Sequence, residues 1–512
     1  MNNRLRAALI VVLFAVAAAL GVMEIKKNDS KSNIGRSNVT ITDGRLTPEI
    51  LWSMGRIGNV AVSPDRRKIA YQVTYYSVKE NASHTVIYVM DENGENVRLL
   101  TGSHYSEHSP AWIDNDNIAF LSSRSGSQQI WRMNASGRHR SQLSSTDRDV
   151  QGFLFSPDNS KVIMVMGVPN PLVREHQYDD LPEASGMVAD DLMFRHWDSW
   201  VTELPHPYMA AFDGKSVSAK VTDLLDGEPY ESPMLPFGGI EQFSWSPDSR
   251  TGAYTCRKKS GLEYAKSTDS DIYLYDVETG GTRNICKIDG QEDRNMGYDT
   301  NPKFSSDGQY IAWQSMDGYE SDRNRLYVMD LKAGRKWSVS ESFDSNVDDF
   351  IWRPDRNYLY FIGSWQGCMS LFMVDLDGNV ITVNNDACDY NSLAWGNDAK
   401  LIVTRQSMRN ATEIYAVDTK RGLAGKLSHE NDHIFSQLDN IKVEARSVKT
   451  TDGKDMLTWV VFPPDFDPSK KYPTLLFCEG GPQSMVSQFW SYRWNFRIMA
   501  AQGYIVVAPN RR

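Results

Sequence analysis

A chain of 512 residues exceeds what one ordinary hydrophobic core supports, so at least two domains are expected, and a hydrophobic content of 41% is enough to build them. Its 55 Lys and Arg against 65 Asp and Glu leave a net charge of −10. With no basic run carrying interleaved aromatics, the composition argues against a nucleic-acid partner, and the mild acidic excess serves solubility.

Residues Met1 to Met23 carry Arg4 and Arg6 and then an apolar run from Ala7 to Met23, the layout of a basic n-region and an h-region. Export across a bacterial-type inner membrane into the periplasm is the expectation. Ala15, Ala17 and Ala19 offer an A-x-A-like cleavage site; the run also reaches the lower length limit of a spanning helix, so an uncleaved anchor facing the periplasm is the alternative. No Cys follows the run closely, which argues against a lipid-modified N-terminus.

From Val60 to Ser428 the chain repeats itself. A strand, a Ser-Pro-Asp-type turn and a second strand recur as V-S-P-D-R-R-K-I-A-Y (Val62 to Tyr71), F-S-P-D-N-S-K-V-I-M (Phe155 to Met164), W-S-P-D-S-R-T-G-A-Y (Trp245 to Tyr254) and F-S-S-D-G-Q-Y-I-A-W (Phe304 to Trp313). Looser copies start at Trp112, Trp352 and Trp395, which makes seven. Most are followed by an alternating strand that ends in Asp and a Gly-containing turn, as in I-Y-L-Y-D-V-E-T-G (Ile272 to Gly280). Pro presets the first turn position, Asp caps the turn through its side chain, and period-2 alternation supplies the strands. Two hairpins per repeat predict four antiparallel strands, one blade that cannot bury both faces alone. Seven copies predict a seven-bladed β-propeller over residues 43–440.

One interval, between the motifs at Ser156 and Ser246, is roughly twice the usual length. Its excess, within 167–206, predicts a loop on one face of the array, and such insertions often line the binding face. The apolar spacing of Leu192, Met193, His196, Trp197 and Trp200 predicts helix over Val188 to Trp200. Asp190, Asp191 and Asp198 fall near those aromatics at that spacing, among further acids at Asp179, Asp180 and Glu183.

Five cysteines are present. In an oxidising compartment Cys256 with Cys286, and Cys368 with Cys388, are the expected bridges between neighbouring strands. Cys478, inside a predicted buried strand, reads as a core residue. None has metal-ligand spacing and the nine His are scattered, so neither a metal nor a cofactor is expected.

After about Ile441 the pattern changes. Y-P-T-L-L-F-C-E-G-G-P (Tyr472 to Pro482) is an apolar strand running into a Gly-Gly-Pro turn, and G-Y-I-V-V-A-P (Gly503 to Pro509) is a second buried strand after a helix-like stretch. This order is that of the start of an α/β-hydrolase domain, expected at 441–512. No G-x-S-x-G elbow occurs in the sequence.

The propeller pattern, the insert D-L-M-F-R-H-W-D-S-W, the turn E-G-G-P-Q and the ending V-V-A-P-N-R-R together resemble serine peptidases of the prolyl oligopeptidase family, most of all its dipeptidyl- and acylaminoacyl-peptidase relatives. The resemblance covers nearly the whole chain after Met23. It implies an exported exopeptidase that cleaves short peptides by Ser-His-Asp acyl transfer. It also implies that Ser, Asp and His lie after Arg512, that the chain is an inactive fragment, and that the half-built sheet leaves the run Ile505 to Val507 short of neighbours.

In those relatives the turn is usually H-G-G-P and the second Gly helps to hold the oxyanion. That position is Gly481 here, with Gly480 beside it, and Glu479 stands where His is usual. An enzyme of the dipeptidyl type must read a free N-terminal ammonium, and Asp190, Asp191 and Asp198 are the candidates, with Trp197 and Trp200 walling the site. The alternative is a non-catalytic propeller that binds peptides or proteins; it accounts for the repeats but not for the strand, Gly-Gly-Pro turn and helix that follow.

Overall fold

The computed structural model describes residues 34–102, 104–174, 180–287, 297–317, 322–480 and 484–510, so the leader-like segment Met1 to Met23 lies outside the described residues. Among the described residues, no helix is long and apolar enough to cross a membrane.

The Ser-Pro-Asp motif is a hydrogen-bond device that reverses the chain. Ser63 Oγ donates to Asp65 Oδ1 at 2.7 Å and accepts from the Lys68 amide at 2.9 Å. The same two bonds recur at Ser156 (2.6 and 3.0 Å), Ser246 (2.6 and 2.9 Å) and Ser305 (2.6 and 2.9 Å). The residue after each Asp takes a positive φ, 61° at Arg66, 54° at Asn159, 60° at Ser249 and 71° at Gly308, which turns the first strand back onto the second.

These turns organise seven successive sets of four antiparallel strands, spanning 56–99, 107–142, 150–223, 243–284, 298–338, 347–384 and 389–426. The sixth and seventh are also joined by one parallel pairing, Met369 with Asp389. A second repeated device closes the outer edge of five of the sets, the first, second, fourth, fifth and seventh. Thr101, Ser144, Cys286, Ser340 and Ser428 accept the amide N–H of Ile87, Ile130, Ile272, Leu326 and Ile414, always fourteen residues back.

Apolar side chains from both faces of each sheet fill the gaps between neighbours. The first sheet packs on the second through Ala70, Ile87, Ile118 and Phe120, the fourth on the fifth through Ile272, Ile311 and Trp313, and the fifth on the sixth through Val328, Phe350 and Phe361. The seventh returns to the first through Ile402, Ile414 and Leu427 against Ile57, Ile69 and Val73, so the array closes on itself. Each such fully buried side chain contributes about 1.5–3 kcal/mol. Asn431 clamps the closing seam, accepting from Gly55 N–H at 3.0 Å and donating to Gly55 O at 2.8 Å.

An eighth sheet follows, ordered Val443–Lys449, Asp455–Val461, Ile505–Pro509 and Thr474–Leu476. The expectation that Ile505 to Val507 lacks neighbours is corrected: the strand pairs antiparallel with Asp455–Val461 and parallel with Thr474–Leu476. The open edge is Thr474–Leu476, all three residues exposed. Cys478, just beyond that edge, is exposed rather than part of a core.

Three more expectations change. Val188 to Trp200 is not helical: Val188–Ala189 pairs with Val173–Arg174, and Arg195–His196 pairs with Ser199–Trp200. Met193 at φ 61° and Trp197 at φ 50° take the left-handed backbone region and break the helical register. The four bridge candidates Cys256, Cys286, Cys368 and Cys388 are free, buried thiols. Cys256 and Cys286 face opposite sides of the fourth sheet, one toward the third sheet and the other toward the fifth, because neighbouring positions on a strand alternate faces.

Candidate active site

Antiparallel order puts the starts of all first strands, and the turns between second and third strands, on one side of the array. In the sixth sheet that turn contains Gly367, at φ 79°, pressed on the eighth sheet: a Cβ there would lie 2.5 Å from Leu457 Cδ2 and 2.8 Å from Trp459 Nε1. The eighth sheet therefore covers this side, and the insert leaves the third sheet from the equivalent connection, between Pro169 and Glu203.

The contact between ring and eighth sheet is apolar with a polar lock. Cys368 and Met408 pack with Trp459, Val461, Val486 and Phe496. Asp389, 1% exposed, accepts from Ser487 Oγ at 2.6 Å on Oδ2, and from Gln488 N–H at 3.1 Å and Met369 N–H at 3.0 Å on Oδ1. Burial raises its pKa. Arg497, on the helix Phe496–Ala501, donates to Arg409 O and to Asp439 O, both at 2.7 Å. Burial lowers its pKa to about 10. These bonds set where the segment after the Gly-Gly-Pro turn lies.

The strand Thr474–Leu476 leads into the turn, with Phe477 N–H donating to Val507 O at 2.8 Å. Gly480 faces open space, no heavy atom standing within 4 Å of where its Cβ would be. Gly481 lies outside the described residues, as does Asp179.

Under the insert sits a carboxylate that the spacing argument missed. Glu231, 3% exposed, is met by His196 Nε2 at 3.2 Å and by the Tyr264 hydroxyl. The Arg257 guanidinium lies 4.5 Å from the Tyr264 ring. Asp190, Asp191 and Asp198, by contrast, are all exposed. Asp191 lies against Gly261, and Asp198 accepts from Ser199 Oγ at 3.2 Å. Trp197, 78% exposed, meets Phe237 edge to face at 5.0 Å, while Trp200 stacks on Phe194 at 5.9 Å. The aromatics thus form two exposed pairs. Nothing in the E-S-P context of Glu231 distinguishes it in sequence.

One cluster has metal-ligand atom types: Asp271, Cys286 and Asp299, all buried, with atoms within 4.8 Å of one another. Protein groups bind each of the three residues, with Asp271 Oδ1 left without a partner. Lys287 Nζ reaches Asp271 at 3.1 Å, Trp313 Nε1 donates to Asp299 at 2.8 Å, and Cys286 fills the repeated edge-closing position. Burial pushes Asp299 up to about 6 and holds the thiol neutral, which makes it a poor ligand.

No protein-family model matches the chain. Among curated proteins it is similar to dipeptidyl-peptidase 5 of Porphyromonas gingivalis, 44% identical over 477 residues that span 92% of this chain and 68% of the relative. Among solved structures it is similar to Pyrococcus horikoshii acylaminoacyl peptidase, with a TM-score of 0.69 at 17% identity over 91% of this chain and 66% of that one. It is also similar to the β-propeller domain of a trilobed protease from Pyrococcus furiosus, with a TM-score of 0.50 at 14% identity over 75% of this chain and 99% of that one.

Proposed function

The chain belongs to the prolyl oligopeptidase family of serine peptidases, and we propose that it carries the propeller and the first part of the catalytic domain of an exported dipeptidyl peptidase acting on short peptides. Residues 43–440 are the seven-bladed propeller with its insert at 167–206, and 441–512 begin the α/β-hydrolase domain. Met1 to Met23 direct export to the periplasm. The observation that carries the reading is geometric: the segment that follows the strand Thr474–Leu476 is locked, through Asp389 and Ser487, onto the same side of the ring from which the insert projects. The name of the 44% identical relative supports the dipeptidyl type.

In this reading Gly480 and Gly481 present backbone N–H groups to the oxyanion of an acyl-transfer intermediate, where a fixed donor in a dry site is worth about 2.7–4 kcal/mol. The serine that forms the acyl-enzyme belongs on a G-x-S-x-G elbow, and the histidine that activates it follows later in such a domain. The exposed acids Asp190, Asp191 and Asp198 receive the substrate ammonium; each exposed pair is worth up to about 1 kcal/mol, so the insert must close over substrate to do better. Trp197 and Trp200 limit how much peptide enters.

The test is to read the gene past Arg512 and treat its product with a fluorophosphonate. A G-x-S-x-G within about a hundred residues, a labelled serine there, and cleavage of free-amine dipeptidyl amides but not of N-blocked ones are the expected results. A product with no reactive serine refutes the peptidase reading, and equal cleavage of blocked substrates refutes the dipeptidyl type.

A further inference from the structure

Arg56 begins the innermost strand of the first sheet, Arg56–Val62, on the side that the eighth sheet covers. Its guanidinium carbon lies 3.9 Å from the ring centre of Tyr76, 3.9 Å from that of Tyr492 and 4.7 Å from that of Trp52. Trp52 comes from the helix Pro48–Ser53, and Tyr492 from the segment between the Gly-Gly-Pro turn and the last helix. Trp52 and Tyr76 also wall an open cleft of ≈ 590 Å³ with Val78, Asn81 and Ser83.

Among the described residues Arg56 forms no ion pair, and its Nε and Nη2 are buried without a well-formed hydrogen bond, the Tyr76 hydroxyl being the polar group that favours its charge from nearby. Those two nitrogens share one edge of the guanidinium, the edge that takes a carboxylate through two parallel bonds. Aromatic faces compensate the charge but cannot accept both N–H groups, and each buried donor without a partner costs about 1–3 kcal/mol. Glu49, the acid that lines the cleft, stands at the start of its helix and forms no ion pair among the described residues. In a chain with more acids than bases, an arginine left bare at the junction of two domains needs an anion from outside.

We propose that Arg56, framed by Trp52, Tyr76 and Tyr492, is a carboxylate-binding site, and that its ligand is the C-terminal carboxylate of a short peptide held between the propeller and the catalytic part of the chain. The proposal rests on the peptidase reading for the identity of the ligand. The rings shield the fork edge from water and salt, so a pair formed there keeps the strength that exposed pairs lose to screening. Trp52, 37% exposed on the cleft side, is the ring that turns to admit the ligand. Such a site favours peptides short enough to reach it with their last residue.

Isothermal titration calorimetry on the 512-residue protein tests this with Ala-Ala-Ala, its C-terminal amide and sodium acetate at matched ionic strength. The acid should bind at least about tenfold more tightly than the amide, and Arg56→Gln should abolish that preference. Arg56→Lys keeps the charge, loses the fork and should fall between. It also decides the matter should the glutamine variant fail to fold. Equal affinity for acid and amide, wild-type affinity in either variant, or no peptide binding overturns the proposal. Acetate binding as tightly as the tripeptide marks an adventitious ion only and also overturns it. Calorimetry reads binding and not turnover, so an absent fluorophosphonate label sinks the peptidase reading without touching this result.

Discussion

Replacing Asp389 by alanine should release the segment that follows the Gly-Gly-Pro turn from the ring. The carboxylate is 1% exposed and serves three donors, Met369 N–H, Gln488 N–H and Ser487 O–H, at 3.0, 3.1 and 2.6 Å. Hydrogen bonds to a charged acceptor are worth about 1.5–3 kcal/mol each, so the three together represent about 4.5–9 kcal/mol. Taking the carboxylate out of water costs several kcal/mol, and the variant recovers that part. A net loss of about 3 kcal/mol remains, enough to change a local opening equilibrium about a hundredfold. Hydrogen exchange followed by mass spectrometry on peptides covering 484–490 reads it directly, with strand Thr251–Cys256 of the fourth sheet as an internal control. Asp389→Asn keeps Oδ1 for both amides and disturbs only the Ser487 bond, so about 1 kcal/mol is expected. Unchanged protection in the alanine variant, or equal damage from asparagine, would refute the account of Asp389 as a three-way lock.

Two further outcomes follow from buried groups elsewhere. Glu430, on the seam between the seventh and first sheets, accepts from the Tyr75 hydroxyl at 2.9 Å, and burial raises its pKa from 4.5 to about 7. The folded state thus holds this proton more tightly, so its contribution is complete below about pH 4.5 and is lost as pH rises through about 7, by about 3 kcal/mol. Denaturant titrations at pH 5 and pH 8 should show Glu430→Gln gaining on the wild type at the higher pH, and a constant difference refutes the assignment. Of the five thiols only Cys478 is exposed, so a thiol reagent should modify one cysteine in the native protein. A mapped Cys256–Cys286 bridge would contradict the opposed faces of the fourth sheet.

The strand–turn–strand repeats are legible in the sequence because what makes them is local. Ser63 bonds to Asp65 and Lys68 within five residues, and the same letters repeat the same bonds at Ser156, Ser246 and Ser305. The strand before the Gly-Gly-Pro sequence is legible as a strand, but its expected burial is not, since Thr474–Leu476 lies exposed at the edge of its sheet. Helical spacing in the insert misleads, because a period counted along the chain ignores the left-handed backbone at Met193 and Trp197. Cysteine spacing misleads likewise: closeness in sequence cannot say which face of a sheet a thiol points from. The groups that hold the ring closed and dock the eighth sheet on it come from remote stretches and carry no local mark. Asp389 meets Ser487 across 98 positions and Tyr75 meets Glu430 across 355, while Arg56 finds Tyr492 only because the ring closes and the eighth sheet docks on it. Backbone hydrogen bonding and turn chemistry act over a few residues and are written in the sequence. Burial, which makes a carboxylate a lock or leaves an arginine without a partner, exists only once distant segments have excluded water together.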